Sequence, residues 1–203
     1  SNQNVIYFSD GNILYKTTDS GINWNNVTTL PNRTISYIII HPNDENRVWV
    51  TFSGYTNGQK VYHTNDGGIS WQNISGTLPN VPANCIVVDE QSNLQTLYIG
   101  TDLGVFTTDS TLTDWNLFNQ NTLPNVIVTE LEIQYSSNKL FASTYGRGLW
   151  CIDLQITSPP SANFFASDSV FCNIPATVGF TNTSYYSTTY YWDFGDGNTS
   201  TAT

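Results

Sequence analysis

The sequence predicts an all-β chain in two units, the first of them built from repeated four-stranded antiparallel sheets. Three observations predict this: polarity that is mostly uncharged, an abundance of aromatic residues, and a segment that recurs without gaps. Charged residues make up 11% of the 203 and aromatics 14%. A chain so composed has apolar surface with which to offset ordering entropy, as a disordered acidic chain does not. The remaining polarity is largely Asn, Thr, Ser and Gly, residues that favour strands and turns over helices.

The recurring segment reads LYKTTDSGINW from Leu14 to Trp24, VYHTNDGGISW from Val61 to Trp71 and VFTTDSTLTDW from Val105 to Trp115. Its Trp returns after 47 residues (24 to 71) and again after 44 (71 to 115), a period that marks a repeat architecture. Within one unit the first strand is centred on Ile38, Ile86 or Leu131. Tyr37 to Ile40 and Cys85 to Val88 are apolar nearly throughout, as in strands covered on both faces, whereas Glu130 and Glu132 restore alternation in the third copy. The second strand recurs as IYFS from Ile6, VWVT from Val48, LYIG from Leu97 and LFAS from Leu140. A third strand follows around Tyr62 and a fourth around Trp71. After each Trp the tripeptide Leu-Pro-Asn, at Leu30, Leu78 and Leu123, punctuates a loop.

Four short antiparallel strands in a unit of this length describe a propeller blade. The first unit shows its second to fourth strands, two units are complete, and the last shows its first three strands before the chain leaves at Asp153-Leu154. Propellers protect sheet edges by radial closure, with roughly four to eight blades. The expectation is therefore a partial propeller whose natural chain continues upstream of Ser1, with a compact four-bladed ring as the alternative.

Thr17-x-Asp19-x-Gly21-x-x-Trp24 and Thr64-x-Asp66-x-Gly68-x-x-Trp71 resemble the Asp box, the bacterial neuraminidase repeat of sialidases, sortilin-type receptors and some xyloglucan-degrading enzymes. A tight turn between third and fourth strands needs a carboxylate to accept backbone N–H bonds and a Gly free to take positive φ. The Trp is then expected to fill the space between neighbouring sheets. In the third copy Thr108 and Trp115 hold their places, but Ser110 and Leu112 replace the Asp and Gly, so a rearranged turn is expected. These residues are assigned a structural role. Ser143 to Trp150, STYGRGLW, resembles the close of many Asp-box propellers in secreted Bacteroidetes proteins.

Ser158-Pro159-Pro160 reads as a linker, giving expected domains 1–157 and 158–203. The string Trp192-Asp193-Phe194-Gly195-Asp196-Gly197 resembles the PKD domain. That resemblance implies the start of an immunoglobulin-like β-sandwich, with Trp192 in the core and Gly195, Asp196 and Gly197 in a hairpin turn. About half of such a domain is expected here, with Cys172 awaiting a disulfide partner in the remainder and Cys85 serving as a small apolar strand residue. Asp193 and Asp196 fall short of the roughly six to eight oxygens calcium takes, and Cys85, Cys151 and Cys172 form no CxxC pair. Neither metal nor cofactor is expected.

Six Lys plus Arg against sixteen Asp plus Glu give a net charge of −10, which repels nucleic-acid backbones and anionic membranes. With no apolar run of about eighteen residues and no basic leader, the segment is expected neither to span a membrane nor to carry its own signal peptide. The Asp-box turns occupy one rim, so ligand recognition is expected on the other. Its loops place Arg33, Tyr55, Asp102, Tyr145 and Arg147 together, and Tyr and Arg suit sugar or carboxylate recognition.

Catalysis is not expected within this segment. A sialidase implies an arginine cluster, a Tyr nucleophile with its Glu and an acidic residue, which Arg33, Arg47 and Arg147 do not reproduce. Arg47 is expected in a loop beside Glu45 on the Asp-box side. His41 and His63 lack a neighbouring Ser or Cys motif. The reading is a secreted or surface-displayed module binding carbohydrate or a surface protein, with PKD spacers. The alternatives are a glycoside hydrolase with its catalytic residues upstream, or an accessory to an upstream enzyme. The family resemblance further implies export by the type IX machinery through a later C-terminal domain, hence an extracellular location.

Overall fold

In a strand, successive side chains point to opposite faces. A segment apolar at every position therefore needs a neighbour on each side. In the computed structural model, which describes residues 4–27, 29–119, 123–155, 162–167, 177–184 and 190–202, the first unit, Ser1–Gln155, supplies those neighbours as four consecutive sheets. Strands β1 (Ile6–Asp10), β2 (Ile13–Thr17) and β3 (Asn25–Asn26) form the first, in the order β1-β2-β3. The second runs β4 (Ile35–His41), β5 (Asp44–Phe52), β6 (Val61–Thr64) and β7 (Gln72–Asn73). The third runs β8 (Ala83–Val88), β9 (Leu97–Thr101), β10 (Gly104–Thr108) and β11 (Asn116–Leu117). The fourth has β12 (Val128–Gln134), β13 (Lys139–Thr144) and β14 (Gly148–Asp153). All pairings are antiparallel.

The innermost strands lie side by side, β4 against β8 and β8 against β12, so the sheets fan outward from a common line. This is a partial propeller of four-stranded antiparallel blades. Each inner strand carries a register shift near its start, between Ile35 and Tyr37, Ala83 and Cys85, and Val128 and Glu130. Such a bulge re-aims one side chain. Ser36 Oγ donates to Ala83 O at 2.5 Å and Asn84 Nδ2 to Val128 O at 3.0 Å, each tying its sheet to the next.

Alternation divides the core into three seams. Val48, Val50 and Phe52 of β5 pack with Tyr7, Leu14 and Leu30 toward the first sheet. Trp49, on the opposite face of the same strand, packs with Ile86, Val88, Leu97, Ile99 and Trp115 between second and third sheets. Cys85, Val87 and Tyr98 face Leu131, Leu140 and Ile152 of the fourth. Burial pushes the Cys85 thiol pKa up to about 12, with the Glu130 charge adding to it, so Cys85 packs as an apolar residue.

The seams explain where the tryptophans lie. Trp115 is 5% exposed and Trp71 half-buried, but Trp24 is 42% exposed, a departure from the expectation that all three fill inter-sheet space. Each Trp packs toward the sheet before its own: Trp71 joins the cluster containing Val27, and Trp115 the one containing Ile74. Among the described residues no other sheet lies over Trp24, which instead is edge-on to Phe8 at 6.2 Å. A second difference concerns Arg47, which stands within strand β5 rather than in a loop. The β4–β5 connection uses only Pro42 and Asn43.

The second unit, Ile156–Thr203, pairs β15 (Phe164–Ala166) with β16 (Phe180–Asn182) and β17 (Trp192–Asp193) with β18 (Thr199–Ser200). Phe164, Phe180, Trp192 and Phe194 form a ring cluster with centroids 5.6 to 6.3 Å apart. The Trp192 indole N–H donates to Ala202 O at 2.9 Å. Asp193 accepts from Gly195 N and Asp196 from Asn198 N, both at 2.9 Å, closing the β17–β18 turn. Cys172 lies outside the described residues.

Candidate binding site

The loops opposite the Thr-x-Asp turns fall into separate corners. Arg33 precedes β4, and its Nε donates to Gln59 Oε1 at 2.9 Å, bridging to the β5–β6 loop. That loop also holds Tyr55, 70% exposed. Beneath them Lys60 is 1% exposed, with Nζ donating to Gly54 O at 2.7 Å. Burial, and then the Arg33 charge, lower the Lys60 pKa. Lys60 was not foreseen as a rim residue, because one Lys before an apolar strand carries no sign that it will be enclosed.

Tyr145 and Arg147 sit on the tight β13–β14 loop. Tyr145 is 75% exposed, its N–H held by Ile127 O at 2.9 Å. Arg147 leaves its guanidinium on an exposed residue while its carbonyl accepts from Trp150 Nε1 at 3.0 Å. Asp102 belongs elsewhere: it accepts from Asn84 Nδ2 at 3.0 Å, and Asn84 also binds Val128 O. Its carboxylate therefore braces the inner strands. Among the described residues, the five predicted rim residues make their hydrogen bonds to other groups and not to one another.

The Thr-x-Asp turns on the far side are closed networks. Thr17 Oγ1 donates to Asp19 Oδ1 at 2.7 Å and accepts from Gly21 N at 3.0 Å; Asp19 also accepts from Asn23 N and Nδ2 at 2.9 and 2.7 Å. Thr64, Asp66, Gly68 and Ser70 repeat the arrangement. The third turn is different: Thr108 Oγ1 donates to Asp114 O at 2.9 Å, and Asp109 accepts from Thr111 N and Oγ1. Gly21 and Gly68 hold φ of 92° and 96°, and their Trp rings pass over them, as a built Cβ would lie 3.6 Å from Trp24 or Trp71 Cζ2.

These hydrogen bonds favour the ionised carboxylates. The Asn23 N–H, then the Thr17 hydroxyl and the Asn23 amide, lower Asp19 to about 2 from 3.8. The Ser70 hydroxyl, the Ser70 N–H and the Thr64 hydroxyl lower Asp66 further. A depressed folded-state pKa contributes stability above the unfolded pKa that is lost as pH falls through the folded value. Thermal melts of the wild type are expected to drop as pH falls from about 4 toward 2. The Asp19→Asn, Asp66→Asn double variant should start lower at pH 7 and show a shallower drop; identical slopes would show that the two turns do not carry the acid sensitivity.

On the inner strands, Tyr37 Oη donates to Glu130 Oε1 at 2.7 Å across 93 sequence positions. Burial, then the Glu130 hydrogen bond and charge, raise the Tyr37 pKa above the ordinary phenol value. The bond, with its proton on Tyr37, ties inner strands β4 and β12 together.

The sheets and loop rims define a partial β-propeller, and solved propeller structures match it. An ancestral GH74 enzyme aligns with TM-score 0.54 and 20% identity over 71% of this chain. The extracellular domain of the hybrid two-component system BT4673 from B. thetaiotaomicron aligns with TM-score 0.58 and 18% identity over 78%. A second structure of the BT4673 extracellular domain gives 0.54 and 20% over 78%. Each alignment covers 21% of the other chain, so this chain spans about a fifth of their length. At such identity the likeness is one of fold. No family model matches the chain, and no curated protein matches it.

Proposed function

We propose that this chain is part of an extracellular, non-catalytic binding module that recognises carbohydrate on the loop rim, with the second unit a PKD-type spacer. One observation carries the reading: Tyr55 and Tyr145 stand 70% and 75% exposed on rim loops, with Arg33 bonded to Gln59 on the loop that holds the first. A Tyr presents a large amphipathic face with a polar tip, and a backbone-anchored loop limits the entropy lost on binding. The BT4673 structures that share the fold are extracellular domains, which supports the location. No helix among the described residues is long and apolar enough to cross a membrane.

The test is a glycan array followed by titration of the best ligand against Tyr55→Ala and Tyr145→Ala. The variant at the corner that holds the ligand is expected to weaken binding about tenfold, equivalent to about 1.4 kcal/mol, and the other to leave it unchanged. Sugar release from the same glycans would instead establish a hydrolase, the reading that the GH74 fold likeness keeps in view. Binding to a surface protein but to no glycan would sink the carbohydrate assignment.

A further inference from the structure

Two successive seams differ at their outer ends. Strands β1 and β5 align Tyr7 with Trp49, and β2 and β6 align Lys16 with His63. At the first seam Lys16 Nζ donates to Gly67 O at 3.3 Å and Tyr7 Oη to Glu45 O at 3.2 Å, so the second sheet's Thr-x-Asp turn fills the space. Gly67 holds a φ of 71° there, and a Cβ on it would crowd Lys16 Nζ and Asn46 Oδ1. At the second seam the residue aligned with Gly67 is Thr111, whose N–H and hydroxyl both turn back to Asp109. The rearranged turn leaves a cleft of about 480 Å³ lined by Arg47, Trp49, His63, Asn73, Gln95 and Thr113.

The cleft is chemically unfinished. The Arg47 guanidinium lies 5.5 Å from the Trp49 ring centroid, and its Nη2 donates to the neutral amide of Gln95 at 2.6 Å. Among the described residues the ion pair is Lys139 with Asp153, and no carboxylate reaches Arg47. Asp109, the one carboxylate lining the cleft, is turned to Thr111 N and Oγ1, so the Arg47 charge has no bonded counter-ion and is open to an anion from outside. His63 stacks on Trp49 at 4.6 Å, and its Nε2 is shielded from water without a hydrogen-bond partner, where Lys16 at the same register has one. Burial and the Arg47 charge lower the His63 pKa to about 4, so the imidazole is neutral at pH 7 and leaves the charge with Arg47.

We propose that this cleft between the second and third sheets binds a carboxylate-bearing sugar, Arg47 taking the carboxylate. The Gln95 amide nitrogen and the Thr113 hydroxyl offer partners to sugar hydroxyls, and the volume admits a sugar residue with room to spare. A planar guanidinium already fixed by Trp49 and Gln95 is suited to a two-point grip on a carboxylate. The site is separate from the loop rim and stands whether or not glycans bind there.

Histidine ring NMR of the full chain tests it, since His41 and His63 are the only two and a His41→Gln variant assigns them. Titration with glucuronate should shift the His63 resonances saturably, with glucose and acetate at least tenfold weaker. Arg47→Gln should weaken the glucuronate response at least tenfold. Rebuilding the regular turn with Ser110→Asp, Thr111→Gly and Leu112→Gly should close the cleft and remove the response with Arg47 intact, circular dichroism confirming that both variants fold. An absent His63 shift, one undiminished by Arg47→Gln, or one preserved in the rebuilt turn overturns the site. An equal response to acetate or glucose overturns the acidic-sugar assignment.

Discussion

Replacing Trp115 by alanine is expected to lower the unfolding free energy by about 3 to 5 kcal/mol, whereas Trp24→Ala, the same substitution at the aligned position, should cost less than half of that. Trp115 is 5% exposed, its indole N–H donates to Ile74 O at 2.7 Å, and its N–H and carbonyl are both paired with the Thr77 hydroxyl at 3.0 Å. Truncation therefore opens a cavity among Leu78, Ile86 and Leu97 and leaves the Ile74 carbonyl without its donor, two costs that add. Trp24 is 42% exposed and bonds only within its own turn, to Gly21 O at 3.1 Å. Urea melts of the two variants decide it. Equal losses would mean that the turns, and not the seams, set the value of the tryptophans.

The second large effect is expected at Gly100, in the middle of β9. A Cβ there would lie 2.5 Å from Cys85 Sγ and 2.7 Å from Val128 Cγ1, and both partners are fully buried. Neither can yield without moving backbone, since Cys85 is the cross-strand neighbour on β8 and Val128 opens the next sheet's inner strand. Gly100→Ala should destabilise by about 1 to 3 kcal/mol, and Gly100→Val by more, as overpacking of a filled core does. Because the nearest clash is with sulfur, Cys85→Ala in the Gly100→Ala background should cost less than it does alone. A double-mutant cycle measured by chemical denaturation reads that coupling; strict additivity would contradict the geometry.

The strands were legible because alternation is a local property of the chain. IYFS, VWVT, LYIG and LFAS all lie in β1, β5, β9 and β13, and each of the two complete units has its four strands in the expected order. Arg47 misled because HPNDENR reads as one polar loop; its hairpin needs only Pro42 and Asn43, and strand pairing resumes with His41 opposite Asp44. What sequence could not reveal lies between sheets. The unequal burial of three aligned tryptophans, the enclosure of Lys60 and the Tyr37–Glu130 bond depend on which surface arrives opposite. The third turn was readable as irregular from Ser110 and Leu112, but the cleft it leaves beside Arg47 follows only once Thr111 is placed against the neighbouring sheet.

The outer strands β3, β7 and β11 are each two residues long, and five of their six residues are Asn or Gln. Too short to template a foreign strand, they shield three blades against edge-to-edge aggregation. The outer edge of the fourth sheet differs: β14 runs six residues, with Leu149 64% exposed and Cys151 an exposed thiol. Among the described residues β14 ends its sheet, so a strand added there would meet an open edge and, at Cys151, a thiol accessible to oxidation.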